Sequence, residues 1–236
     1  MLKIGCCLLA LIGLSGCVLV STVRPTIAHV HVGHSLTGWV DTPNQEGLLT
    51  TARRDATIAL EHARYAVEGA SDIATVKMHV LHVVHAIDPT QEKQGPGTGY
   101  GLLRALDGYA DHLRFASESA DASANLKEGM GAVIQAVAAP RRDARLVLAL
   151  ARDIAATAKP EAAVALALEV RALCDRIVQD TNTAEQQLRK LLAREQPAYA
   201  PVEQRFLFGL IRLPSGGWAW RPDLDNPAGG LHGGYH

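Results

Sequence analysis

Aromatic residues make up only 5% of this 236-residue chain, few for the core of a β-sandwich or barrel. The net charge is −1, which offers no electrostatic handle on nucleic acid or on an anionic membrane surface. Cys-x-x-Cys and Cys-x-x-Cys-His are absent, which excludes thioredoxin-like redox chemistry and covalent c-type haem. Glu-x-x-His, the mark of carboxylate-bridged di-iron bundles, and His-Glu-x-x-His, the commonest zinc-protease signature, are missing too. No apolar run is long enough to span a bilayer. No phosphate loop, nucleophile elbow or helix-loop-helix calcium motif appears, and no internal repeat is evident.

What is abundant is alanine and leucine, and their spacing is helical. Leu48, Leu49, Ala52, Ala56, Ala59, Leu60, Ala63, Ala66 and Val67 fall on one face of a helix that starts near Gln45 and ends at Gly69. Asp72 is a candidate N-cap for a second helix over 73–87, stopped by Asp88-Pro89. The glycines at 95, 97, 99 and 101 mark a surface loop. A third helical stretch runs from Tyr100 towards Ala139, with Leu102, Leu106, Tyr109, Leu113, Ala116 and Ala120 as its stripe and Pro140 as its stop. A shorter segment follows, and Pro160 opens a last helix to about Glu195. The fold expected is all-α: an antiparallel bundle of four principal helices plus a shorter one, over 45–197. A non-helical arm at 17–44 and a Pro/Gly/aromatic tail at 198–236 flank it.

The first residues carry Lys3 and then a short apolar stretch, Ile4 to Leu14, the pattern of an export signal over 1–16. It ends in Leu14-Ser15-Gly16-Cys17, which resembles the lipobox of bacterial lipoproteins. That resemblance implies cleavage before Cys17 and a diacylglyceryl group on it. Val18 stands where this family would carry Asp to stay at the inner membrane, so the resemblance implies a lipid anchor at the periplasmic face of the outer membrane. Cys6 and Cys7 would leave with the signal, so Cys174 would be alone and no internal disulfide can form.

The chemistry-bearing residues are histidines. On the second helix His79, His82 and His85 recur every third residue, opposite Val76, Val80, Val83 and Val84. An exposed face normally carries Lys, Glu or Arg, whereas Lys77 is the one charge between Asp72 and Asp88. A helix so poor in charge reads as buried all round, and a buried imidazole must be hydrogen-bonded or bound to something. His62 lies on the flank of the first helix's stripe, with Asp55 two turns earlier pointing nearly the same way, and His112 lies on the flank of the third. The arm adds His29, His31 and His34. In extended conformation His29 and His31 would point together, either as a chelating pair or as part of a solvated linker.

Imidazole suits copper, zinc or iron. After signal removal only Met78 and Met130 remain, which argues against a cuprous site built on thioethers. The leading expectation is a periplasm-facing lipoprotein that binds a transition metal for storage, delivery or sensing. A variant places b-type haem between His62 and His112, or between either and His82, for electron transfer. The alternative is a structural or accessory lipoprotein of an envelope complex, its histidines satisfied by hydrogen bonds and its apolar tail segments used for docking. A metal-dependent enzyme ranks third, because Asp55, Glu61 and Asp111 are the only carboxylates near the histidines. Nucleic acid is not expected as a partner.

Overall fold

Seven α-helices carry the fold in the computed structural model, which describes residues 26–196, 198 and 199, and the backbone alone at 21–22, 210–212 and 218–220. The lipobox with Cys17 lies outside the described residues, as do His232, His236 and most of the tail. The helices are α1 (Ile27–Leu36), α2 (Leu48–Glu68), α3 (Ile73–Ile87), α4 (Leu102–Glu118), α5 (Ala124–Gln135), α6 (Ala138–Ala156) and α7 (Pro160–Leu192). Three short strands, β1 (Ser21–Thr22), β2 (Leu210–Arg212) and β3 (Trp218–Trp220), form a small sheet in the order β1-β3-β2. The protein is an all-α helical bundle. Helices α2, α3, α6 and α7 pack together, α4 lies on α2, α5 bridges α4 and α7, and α1 lies across α4. Among the described residues no helix is long and apolar enough to cross a membrane.

The core follows the periodicity. Leu48, Leu49, Ala52, Ala56, Ala59, Leu60, Ala63 and Ala66 of α2 are buried, as are Leu102, Leu106, Tyr109, Leu113 and Ala116 of α4 and Val170, Leu173, Ile177, Leu188 and Leu191 of α7. The small residues of α2 let its neighbours approach closely. Helix α3 begins where its cap requires: the Asp72 carboxylate accepts from the N–H groups of Ala74 at 3.0 Å and Thr75 at 3.2 Å. Cys174 is fully buried on α7, and burial pushes its thiol up to about 12, with Asp175 adding to the effect.

Three expectations about elements need correction. The arm is not extended: Ile27–Leu36 is helical. Thr26 Oγ1 accepts from the His29 N–H at 3.0 Å, and the Asp121 carboxylate accepts from the Ile27 and Ala28 N–H groups at 2.6 and 3.1 Å. Those bonds satisfy three of the four donors a helix start leaves open, and packing of Ala28, Val32 and Leu36 on the bundle overrides the strand preference of alternating valines. The third stretch is two helices, because the polar run from Ser119 to Ser123 ends α4 and Ser123 Oγ caps α5 at the Leu126 N–H, 3.0 Å away. Pro140 does not stop a helix. It sits in the first turn of α6, where a missing N–H costs nothing.

Candidate metal centres

The histidines gather into two separate triads rather than one core cluster. His62 of α2 meets His79 and His82 of α3, and His112 of α4 meets His31 and His34 of α1. In each triad one helix supplies two imidazoles three residues apart, which puts them on one face. A single ring from the facing helix completes the group. The contacts are all between Nδ1 atoms: His62 to His79 at 3.1 Å and to His82 at 3.2 Å, His112 to His31 at 3.2 Å and to His34 at 3.3 Å. The three ligand atoms of each triad lie within 4.8 Å of one another.

Hydrogen bonds between the rings and coordination of a shared ion are two ways to satisfy these nitrogens. An imidazole Nδ1 has one in-plane valence, which carries either a proton or a lone pair. His62 Nδ1 faces two other Nδ1 atoms, so a single proton on it is shared between two acceptors. His112 Nδ1 likewise faces the Nδ1 atoms of His31 and His34. A cation at the centre accepts all three lone pairs at once. With metal–nitrogen bonds of about 2.0–2.1 Å in tetrahedral geometry, neighbouring ligand nitrogens stand roughly 3.3–3.4 Å apart, close to the 3.1–3.3 Å seen here. The two triads have a geometry that can hold a metal ion.

Protonation favours the same reading. Burial holds His112 down to about 4, helped by the charge that His31 would carry. Burial likewise lowers His31, against the pull of Asp121. His62 is lowered by burial and then by His82 and His79, and His79 by burial and then by His82. Near neutral pH these four rings are in the form that ligates.

Aromatic rings flank both triads. The Trp39 indole lies with its centroid 4.6 Å from His34 and 4.5 Å from His112, and Phe115 stands 5.5 Å from His31. At the other triad Tyr65 stands 5.4 Å from His62 and 5.3 Å from His79, its hydroxyl donating to Glu61 at 2.7 Å. Met78 and Leu81, 46% and 43% exposed, form an open rim beside it.

The remaining expected ligands are elsewhere. His85 is buried and its Nδ1–H donates to the Glu92 carbonyl at 2.8 Å, under the glycine loop, so it is not a member of either triad. Asp55 is fully buried and holds the same loop: it accepts from the Thr98 N–H and hydroxyl at 2.8 and 2.7 Å and from the Gly101 N–H at 3.1 Å. Gly101 adopts φ +91°, and a Cβ there would fall 2.5 Å from Pro89 Cδ, which is why this turn needs glycine. His29, on the side of α1 away from His31, lies 3.4 Å from Glu195 and against Tyr199. The helix turns His29 and His31 apart, so the extended chelating pair does not exist. Nor is α3 buried all round, since Met78 and Leu81 face water. The histidines named for haem divide between the two triads. His62 and His112 belong to different triads, and His62 and His82 lie in one, with their Nδ1 atoms 3.2 Å apart.

The paired triads expose a signal that the linear reading missed. Glu61-His62-Ala63-Arg64-Tyr65-Ala66 and Asp111-His112-Leu113-Arg114-Phe115-Ala116 share one pattern, with residue numbers differing by 50 throughout. This short internal repeat supplies the central histidine and the flanking aromatic ring of both triads. No protein-family model, curated protein or solved structure matches the chain.

Proposed function

We propose that this protein binds two transition-metal ions per chain, one in each histidine triad, and that it handles metal by storage or delivery at the bacterial envelope. The observation that carries the reading is the convergence of three imidazole ligand atoms in each triad, within 4.8 Å of one another. Three neutral nitrogens without a carboxylate suit zinc or copper best, with iron next. Three protein ligands at the half-buried edge of a bundle leave a fourth position to water or to an incoming ligand. That open position is what an ion needs to enter and to be handed on. The internal repeat supports the reading as well, because it places a histidine and an aromatic ring three residues later at both triads.

The test is stoichiometry. Protein stripped with chelator and titrated with zinc at pH 7.5 is expected to bind two equivalents, His62→Gln and His112→Gln one each, and the double variant none. Substoichiometric binding that neither substitution alters would overturn the assignment.

The envelope location rests on the lipobox resemblance at Leu14-Ser15-Gly16-Cys17. In this reading Cys17 carries the lipid that anchors the protein to the outer membrane, where it can serve an envelope complex. Labelled palmitate should enter the native chain and not Cys17→Ala. Equal incorporation into both would remove the anchor at this residue.

A further inference from the structure

We infer that the His31/His34/His112 triad is a latch: an ion bound there docks α1 onto α4, so that metal occupancy changes the shape of the protein, while the His62/His79/His82 triad takes its ion without such a change. The inference rests on the metal reading of the triads.

The two sites differ in what brings their ligands together. His62 is separated from His79 by 17 residues and from His82 by 20, and all three belong to α2 and α3, consecutive helices joined by the short turn at 69–72. Long rows of buried residues hold that hairpin together, from Leu48 to Ala66 on one side and from Val76 to Ile87 on the other. An ion there adds a bond between elements already fixed. His112 is separated from His31 by 81 residues and from His34 by 78. No adjacent turn sets that approach; the docking of α1 does.

That docking rests on the tertiary contacts of one short helix. Helix α1 has ten residues, below the length at which a helix is stable alone. Gly33 at its centre adds backbone freedom. Its buried apolar side chains are Ala28, Val32 and Leu36, and an irregular stretch over 37–47, holding one 3₁₀ turn, separates it from α2. Polar tethers hold its start, at Asp121 and at the His29–Glu195 contact, and one holds its end, where the Thr50 hydroxyl donates to the Leu36 carbonyl at 3.5 Å. The other two histidines face α4 across the middle and end of the helix, where an ion would bridge α1 to His112. A ligand that binds only the docked form shifts the equilibrium towards it.

Amide hydrogen exchange on the full-length chain tests this, with zinc as the probe. With free zinc at a hundred times its dissociation constant, exchange at 27–36 should slow by up to about a hundredfold, in the wild type and in His62→Gln alike. In His112→Gln the slowing at 27–36 should vanish, while the amides of α3 still slow through the ion left at the other triad. If His112→Gln loses protection throughout α2–α7, the His31→Gln/His34→Gln double variant, altered only on α1, takes its place. Two equivalents of bound zinc with unchanged exchange in α1 would overturn the latch and leave the metal reading standing. No bound zinc at all would overturn both. Slowing of α1 that survives loss of the His112 site would overturn the latch alone.

Discussion

The His62 and His112 triads use the same atoms, the same i,i+3 pair and the same six-residue pattern around the central ring, yet they differ in depth and in construction. The first is made by a hairpin and opens beside exposed Met78 and Leu81. The second is made by a distant helix and covered by Trp39. The comparison teaches that ligand identity sets what can bind, whereas the covalent distance between ligands sets what binding does to the rest of the chain.

Acid should separate the triads most strongly. His112 is held down to about 4, whereas the same ring in an unfolded chain titrates near 6.5. Between those values the unfolded chain takes up a proton that the folded one refuses, so stability rises with pH across this window and falls as pH drops through it. The thermal midpoint of chelator-stripped protein should decline from pH 6.5 towards 4. His112→Gln should flatten that decline more than His79→Gln does, because His112 carries the deeper shift. Equal flattening by the two variants would break the distinction of depth.

The aromatic covers should give smaller effects of unequal size. Trp39 touches two ligating rings, and such contacts contribute about 0.5–1.5 kcal/mol each. In a His62→Gln background, Trp39→Ala should therefore speed zinc release to a competing chelator by about tenfold. Tyr65→Phe, in a His112→Gln background, removes only an exposed hydroxyl bond to Glu61 and makes this site resemble its counterpart at Phe115. Its stability should move by less than about 0.5 kcal/mol, with release from the remaining site unchanged. A Tyr65→Phe effect as large as that of Trp39→Ala would mean that the phenol serves the metal directly.

Local signals were enough for the elements that depend on local signals. The α3 boundaries follow from Asp72 and from Asp88-Pro89, and the α2 stripe from its alanines. All six triad histidines stood out by residue type and setting. Their grouping did not, because it depends on α1 lying across α4, a contact between residues about 80 positions apart. Helix α1 itself was hidden by valines that alternate as in a strand, and its start is completed by Asp121 from another element. Asp55 and His85 looked like ligands on their helix faces. Only the path of the glycine loop shows that both bind that loop, His85 through the Glu92 carbonyl and Asp55 through Thr98 and Gly101.

Cys174, set deep in α7, has a chemical consequence. The thiolate is the reactive form, and a thiol pushed up to about 12 supplies almost none of it near neutral pH, while burial keeps reagents away. Oxidants and alkylating agents therefore reach this sulfur only when α7 opens. The rate at which Cys174 is labelled counts those openings, which makes one sulfur atom a clock for the whole bundle, running more slowly whenever a bound ion holds the helices closed.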